Sequence, residues 1–392
     1  MIIRCPHCQR MNRLPDTPQG QGLYRCSNCQ ETLAASGSNR ALFRAWFQAR
    51  FQAAPTIDRR TWAVVLLNLA YLLALLTLSL TNAAGPEGWW LGSLNLYLPQ
   101  WLWALPILVL GPLTWALARR LTWVPLAALV WVFGPIMGLC WHGGWLARPD
   151  GPILGAASGH LRVMTYNVKW GRRDADAVIR DIAAFHPDLI QMQDSGGVAE
   201  GTIGRALTGW NVQVDGQYLV ASRLPLSPLQ AYDISYPGSQ HHCVRYTLRV
   251  SGAEIAVYNV HLLSPREGLI SVRHRQTGGM EGNAEQRQFE AGRLAKLVGA
   301  ETGPTLVTGD LNAPVQSLVC RSLFGAGLRD AFTEAGFGYG YTYGGYTRIG
   351  QPYVRIDHIL ASRQWQIRHC WVGNAVGSDH CPVIADLTLK RE

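Results

Sequence analysis

"TLVTGDLNAP", residues 305–314, runs from an apolar strand signal straight into Asp310 and Asn312. Residues two apart on an extended chain project to the same side, so a carboxylate and an amide emerge together where the strand gives way to a turn. An Asx-turn, in which such a side chain bonds its own backbone, is the simple alternative. The surrounding chain decides between them. From residue 160 onward it breaks into short β-rich runs, among them "LRVMTYNV", "DLIQMQ", "YLVAS", "CVRYTLRV", "EIAVYNVHLL", "RIDHILAS" and "CPVIADLTL", with helical patterns at 174–185 and 284–299. Several strands end in a polar residue able to bind a metal or move a proton: Asn167, Asp194, His261, Asp310 with Asn312, Asp357, and Asp379 with His380. One such ending is a turn; a series of them in order is the rim of one site.

Upstream, the composition changes. The 392 residues have room for two or three domains by a prior of roughly 150 residues each. Residues 1–149 carry 12 Lys+Arg against 4 Asp+Glu, and residues 150–392 carry 23 against 22. The basic balance therefore belongs to the first third and does not by itself argue for nucleic-acid binding. "CPHC" and "CSNC" are Cys-x-x-Cys knuckles 17 residues apart, a spacing that suits tetrahedral thiolate coordination of Zn²⁺ by Cys5, Cys8, Cys26 and Cys29. With all four ligands spent on the metal, residues 1–35 form a structural ribbon without an open position for chemistry. A disulfide pair is the alternative. The stretch "CPHCQRMNRLPD" resembles the short zinc ribbon that precedes some bacterial thioredoxins, which implies a structural or partner-contact role with a cytoplasmic protein.

Three apolar runs follow, at about 61–81, 98–118 and 121–146, within a segment 61–147. Each is long enough, at 1.5 Å per residue, to be read as a transmembrane helix through a core of roughly 30 Å. Pro106, Pro112, Pro125 and Pro135 are tolerated in packed membrane helices, and Trp89, Trp90, Trp101, Trp141 and Trp145 fall near span ends as an interfacial belt does. Residues 1–60 hold 9 Lys+Arg against 3 acids, the link between the second and third runs is Arg119-Arg120, and the loop 82–97 holds only Glu87. The positive-inside rule then places the ribbon in the cytoplasm and everything after the third span in the periplasm of a multi-pass protein of the bacterial inner membrane. Within the basic segment 36–60, "RALFRAWFQARF" is read either as a helix on the lipid surface or as an ordinary packed helix.

Beyond the Pro/Gly linker 148–160, the ordered set "TYNV", "PDLIQMQD", "NVHL", "GDLNAP", "RIDHIL" and "SDHCPV" resembles the endonuclease/exonuclease/phosphatase family, which includes deoxyribonuclease I and sphingomyelinases. The resemblance covers essentially all of residues 160–390, within a domain expected at 161–392. It implies a four-layer α/β sandwich with a divalent metal, Mg²⁺ or Mn²⁺, at one end. It also implies roles: Asn167, Asp194 and Asp379 at the metal, Asp310 activating the attacking water, Asn312 on a phosphoryl oxygen, Asp357 orienting His380, and His261 as general acid or phosphate donor. Arg245, in "HHCVRYTL", is the weaker match for a phosphate contact. The family generally has Glu where this chain has Asp194, a carboxylate one methylene shorter. His186, His241, His242 and His274 are assigned structural roles.

These residue types suit phosphodiester hydrolysis, which needs a cation against developing charge, a base for water and an acid for the leaving oxygen. The leading expectation is a membrane-anchored, metal-dependent nuclease with the nucleic acid as substrate. The alternatives are a lipid or lipid-linked phosphodiesterase and an inactive phosphate-ligand sensor. Cys243, Cys320, Cys370 and Cys381 lie on the expected oxidising side, where disulfides persist and three connectivities are open. Two segments, 264–287 (Arg- and Gly-rich) and 336–347 ("GFGYGYTYGGYT"), are read as specificity loops, the second either as a base-stacking surface or as an ordinary loop.

Overall fold

A computed structural model describes residues 2–5, 7–13, 24–33, 58–142 and 158–390. Residues 36–57 of the juxtamembrane segment expected at 36–60, and most of the linker, lie outside these residues. Residues 1–63 and 64–392 form separate compact units.

In the first unit two short hairpins each carry one knuckle. Strand Ile2–Arg4 pairs with Met11–Arg13, and Tyr24–Arg25 pairs with Thr32–Leu33. The knuckles repeat the same turn: Gln9 N–H donates to Cys5 O at 2.9 Å and Gln30 N–H to Cys26 O at 3.0 Å. The Cys5–Cys29 and Cys8–Cys26 sulfurs are each 3.5 Å apart, and all four lie within 4.8 Å of one another. A Zn–S bond of about 2.3 Å requires tetrahedral sulfur separations of about 3.8 Å, so this cluster fits Zn²⁺ held by four thiolates. Asn12 Nδ2 donates to the Cys26 sulfur at 3.4 Å. Elemental analysis is expected to find zinc in the wild-type full chain and to find it lost in Cys26→Ser; equal zinc content in the two would refute the assignment.

Most of α1 (Arg59–Ala84) belongs to the second unit, and its 26 residues reach about 39 Å at 1.5 Å per residue. After α2 (Trp90–Leu96), a hairpin of α3 (Ile107–Leu117) and α4 (Trp123–Trp131) turns at Arg119-Arg120. Two stretches, Arg59–Ala84 and Gln100–Leu117, are long and apolar enough to cross a membrane. The run expected at 121–146 differs from its expected form. Its helix passes into a wide π turn at Val132–Ile136, which holds Pro135, and Cys140–Trp141 then becomes a strand against Phe337–Gly338. The ring of a proline removes one helical hydrogen bond and clashes with the turn before it, which ends the helix about ten residues early.

Twelve strands build two sheets of six. They are β1 (His160–Asn167), β2 (Leu189–Gln193), β3 (Asn211–Asp215), β4 (Tyr218–Ser222), β5 (Gln230–Asp233), β6 (His242–Val250), β7 (Ala253–His261), β8 (Thr305–Asp310), β9 (Leu328–Asp330), β10 (Asp357–Ser362), β11 (Trp365–Val372) and β12 (Val383–Leu389). The sheet orders are β11-β12-β1-β2-β4-β3 and β5-β6-β7-β8-β10-β9. Leu161, Val163, Tyr246, Val257, Leu306, Ile359 and Trp365 fill the space between the sheets. On the outside, α5 (Ala175–Phe185) covers the first sheet, while α7 (Thr277–Gly299) and α8 (Leu318–Gly325) cover the second. The central strands are buried on both faces and read as continuous apolar runs for that reason.

The segment 264–287, expected as a loop, is mostly helix: α6 (Arg266–Arg273) and then α7, which begins seven residues before the pattern at 284. Its glycines permit close helix packing. A Cβ on Gly279 would lie 2.5 Å from Ser271, and one on Gly268 would lie 2.8 Å from the Met280 sulfur. The possible base-stacking surface at 336–347 instead faces inward. Tyr339 and Tyr341 stack at 5.2 Å, pack with Leu75, Val132 and Ile136, and Tyr339 O–H donates to Phe133 O at 2.9 Å. All nine cysteines are free, and Cys243, Cys320, Cys370 and Cys381 are buried as core thiols, so among the described residues none of the three connectivities is formed.

Candidate active site

Strand polarity gathers the site. In the parallel pairs, Asn167 ends β1 opposite Gln193 of β2, and His261 ends β7 opposite Asp310 of β8. Asp357 begins β10 opposite Asp310 in the antiparallel direction. The same end of both sheets therefore presents polar strand termini. Gln193 Nε2 ties the sheets together there by donating to Asn259 Oδ1 at 2.7 Å.

Asp310, 1% exposed, is the hub. Its carboxylate accepts from Asn167 Nδ2 at 3.0 Å and from the Asn312 backbone N–H at 2.9 Å, the latter being an Asx-turn bond. Both readings of "GDLN" hold at once, because one oxygen makes the turn and the other faces the site. Two imidazoles converge on that second oxygen, His261 Nε2 at 3.6 Å and His380 Nε2 at 3.8 Å. His380 Nδ1 lies 2.9 Å from Asp357, and His261 Nδ1 lies 2.7 Å from Gln217 Oε1. Burial raises the Asp310 carboxyl above the usual range, and the nearby Asp357 charge adds to it. For His380 burial opposes the charge, but the Asp357 and Asp310 carboxylates outweigh it and raise the pKa to about 9.

Asp194 follows β2 with φ +46°, a left-handed conformation that Asp tolerates better than most residues. Its carboxylate is 2.7 Å from Lys169 Nζ and 3.6 Å from His261 Nδ1. Burial would raise its pKa, but His261 and Lys169 prevail and hold it low. The shorter acid at this position is thus met by a lysine that the sequence reading did not single out. Its signal was its place in "TYNVKWG", two residues past Asn167.

Asn312 is also left-handed, φ +50°, and is clamped: Nδ2 donates to Leu262 O at 2.8 Å and Oδ1 accepts from Tyr346 O–H at 3.2 Å. Tyr343 lies against His380 with ring centroids 4.5 Å apart, and its hydroxyl accepts from Arg266 at 2.8 Å. Lys169, Gln217, Tyr343, Tyr346 and Arg266 were not foreseen, since their roles arise from contacts across the fold. Asp379 is half-buried beside His380. Arg245 is the exception among the expected residues: it is bound to Glu301 at 2.6 and 3.1 Å and is absent from the contacts described around Asp310. Its guanidinium is spent on fixing the end of α7.

The histidines assigned structural roles lie at helix ends or beside carboxylates. His186 caps α5 in a left-handed conformation, His241 lies 2.9 Å from Glu290, His242 lies 3.2 Å from Asp215, and His274 ends α6.

The donor set fits a hard divalent cation. Asn167, Asp194 and Asp379 offer oxygen, the ligand type Mg²⁺ takes, and they stand beside the buried carboxyl of Asp310, which burial and the Asp357 charge push upward. Asp310, Asp357 and His380 also place ligand atoms within 4.8 Å of one another, but the Asp357–His380 hydrogen bond already occupies that imidazole nitrogen.

The endonuclease/exonuclease/phosphatase family profile matches residues 164–380, and the chain belongs to this family. No curated protein sequence matches the chain. Solved structures similar to it include an endonuclease/exonuclease/phosphatase family protein from Leptotrichia buccalis, 15% identical over 58% of this chain and 100% of that one, with a TM-score of 0.45. A humanized D. rerio TDP2 is 14% identical over 59% and 100%, with a TM-score of 0.47. The 3' phosphatase NExo from Neisseria, bound to a product DNA hairpin, is 18% identical over 59% and 100%, with a TM-score of 0.46.

Proposed function

We propose that the chain is a membrane-anchored, divalent-metal-dependent phosphodiesterase that cuts nucleic acid outside the cytoplasm. The observation that carries the chemistry is the Asp357–His380 pair aimed at Asp310, with His261 aimed at the same oxygen. A Mg²⁺ held by Asn167, Asp194 and Asp379 would neutralise charge on the phosphoryl group. Asp310 takes the proton of the attacking water as its oxygen bonds to phosphorus. His380, kept protonated by Asp357, donates a hydrogen bond to a phosphoryl oxygen together with Asn312. His261 gives a proton to the leaving oxygen as the P–O bond breaks.

Nucleic acid is favoured over lipid by the turn after β1. Lys169, Trp170 and Gly171 stand consecutively in the left-handed region, at φ 46°, 59° and 64°, a strain of about 1–3 kcal/mol per non-glycine residue that tends to persist at functional sites. The turn holds the Trp170 indole 45% exposed, three residues C-terminal to the strand that ends in Asn167, with Lys169 and Arg172 cations 5.7 and 5.0 Å from its ring. Such a cation-flanked indole suits a base next to its phosphate. Trp170→Ala is expected to raise KM for a single-stranded oligonucleotide ~10-fold or more, from a stacking contribution of about 1–3 kcal/mol. An unchanged KM removes this support for the substrate class.

Membrane anchoring rests on the apolar surface of the helices. Leu66, Leu73, Leu80, Leu108, Val109, Leu126 and Val130 are all exposed, an apolar area of the kind lipid covers. Arg59, Arg60, Arg119 and Arg120 support the cytoplasmic ends proposed from the sequence. The direct test uses the purified full chain in detergent with DNA, RNA and a choline phospholipid, in Mg²⁺ and after chelation. Metal-dependent cleavage of DNA or RNA alone supports the proposal. Hydrolysis of the phospholipid alone moves the function to lipid, and no hydrolysis by folded protein moves it to a sensor.

A further inference from the structure

The segment joining the first two apolar helices does more than tether. Tyr97, just after α2, is 1% exposed and belongs to the anchor by sequence, yet its hydroxyl donates to Asn312 O at 3.0 Å. The same hydroxyl accepts from Arg287 Nη1 at 2.5 Å. Its ring meets Tyr346 edge-on at 5.3 Å, and Tyr346 in turn donates to Asn312 Oδ1. One anchor residue therefore reaches Asn312 by two routes, through its backbone carbonyl and through its side chain.

Neighbouring contacts hold this arrangement in place. Glu87, 4% exposed, accepts from the Leu318 N–H at 3.0 Å and so caps α8, which follows the "GDLNAP" turn. Arg321 donates to the Ala83 and Asn82 carbonyls at the end of α1. Leu96 and Tyr97 pack with Met280 of α7, beside Leu269, Val272 and Tyr346. Arg287 is fully buried and, among the described residues, has no carboxylate within ion-pair distance; its described bonds go to Tyr97 and Asn283. A buried cation so placed depends on the Tyr97 oxygen.

We propose that Tyr97 is a positioning residue for Asn312, so that the anchor completes the active site and a catalytic domain cut away from its helices is deficient in turnover. The left-handed conformation of Asn312, φ +50°, is costly for a non-glycine residue, and such strain persists where surrounding contacts over-determine it. Asp310 and Leu262 hold Asn312 from the sandwich side, and Tyr97 and Tyr346 hold it from the anchor side. This inference rests on the role given to Asn312 above, but the hold itself can be read without activity.

The test is Tyr97→Phe in the full chain, which keeps the ring against Tyr346 and removes only the hydroxyl. Hydrogen exchange is followed by mass spectrometry in peptides spanning 308–316, with kcat and KM measured alongside. Faster exchange in that peptide is expected. So is a fall in kcat of ~10-fold or more with KM changed less than about twofold, since two buried groups lose their partner. Asn312→Ala is expected to abolish the effect, the double variant being no slower than Asn312→Ala alone. Unchanged exchange overturns the inference, as does faster exchange at wild-type kcat, or losses that multiply in the double variant. If the wild type hydrolyses no phosphoester, the function reading has failed, and the exchange result alone decides whether Tyr97 holds the turn.

Discussion

His380→Asn is expected to lower kcat by ~10³-fold, about 4 kcal/mol of transition-state stabilisation, with the protein still folded. The imidazole is buried, with Nδ1 on Asp357 and Nε2 3.8 Å from Asp310. Its raised pKa means that it carries a proton at neutral pH, so it meets the phosphoryl group as a charged donor in a site largely closed to water. Charge placed in this way before the reaction costs no reorganisation when negative charge develops. Asparagine keeps a donor for Asp357 but brings no positive charge. Alanine would leave Asp357 buried and unpaired, a defect worth about 3–5 kcal/mol of stability, so it tests folding and chemistry together. Single-turnover hydrolysis and a thermal melt decide: a folded Asn variant within tenfold of wild type removes His380 from the reaction.

Asp310→Asn is expected to cost about as much, ~10³-fold in kcat at saturating substrate, because it removes the base and the carboxylate on which both imidazoles converge. The change preserves shape, and the Asn312 backbone N–H can still donate to the new side-chain oxygen as it does to Asp310 at 2.9 Å. Loss with wild-type KM points to chemistry. A rise in KM with kcat intact would show that Asp310 serves binding alone and would return the base to another group. Both variants belong in the full chain, since Tyr97 and Glu87 lie outside residues 150–392.

Much of the sandwich was legible because its signals are local. Apolar runs such as "EIAVYNVHLL" are long enough to read as strands, and polar residues at their ends stand out against them. The helix expected at 174–185 is found at Ala175–Phe185. The four-cysteine cluster was legible for the same reason, its spacing being a property of the chain. What failed were readings that depended on partners. Arg245 sits in a suggestive motif, but Glu301, 56 residues away, takes its guanidinium. The glycines at 278, 279 and 282 suggested a loop, whereas close packing of α6 on α7 keeps that stretch helical. The tyrosines of 336–347 suggested an open surface and instead pack inward.

The sequence by itself determined the family, the polar residues at the strand ends, the four-cysteine cluster and two apolar helices, because motifs, composition and spacing carry each of them. Only the tertiary structure decided which of those residues meet. Strand order within the two sheets and their packing bring Asn167, Asp310, Asp357 and His380 to one end of the sandwich across more than 200 residues of chain. The same packing delivers Lys169 to Asp194, and Tyr97 to Asn312 across 215 residues. No sequence period relates such pairs; they become neighbours only when burial of the sandwich and helix cores fixes the register between distant segments.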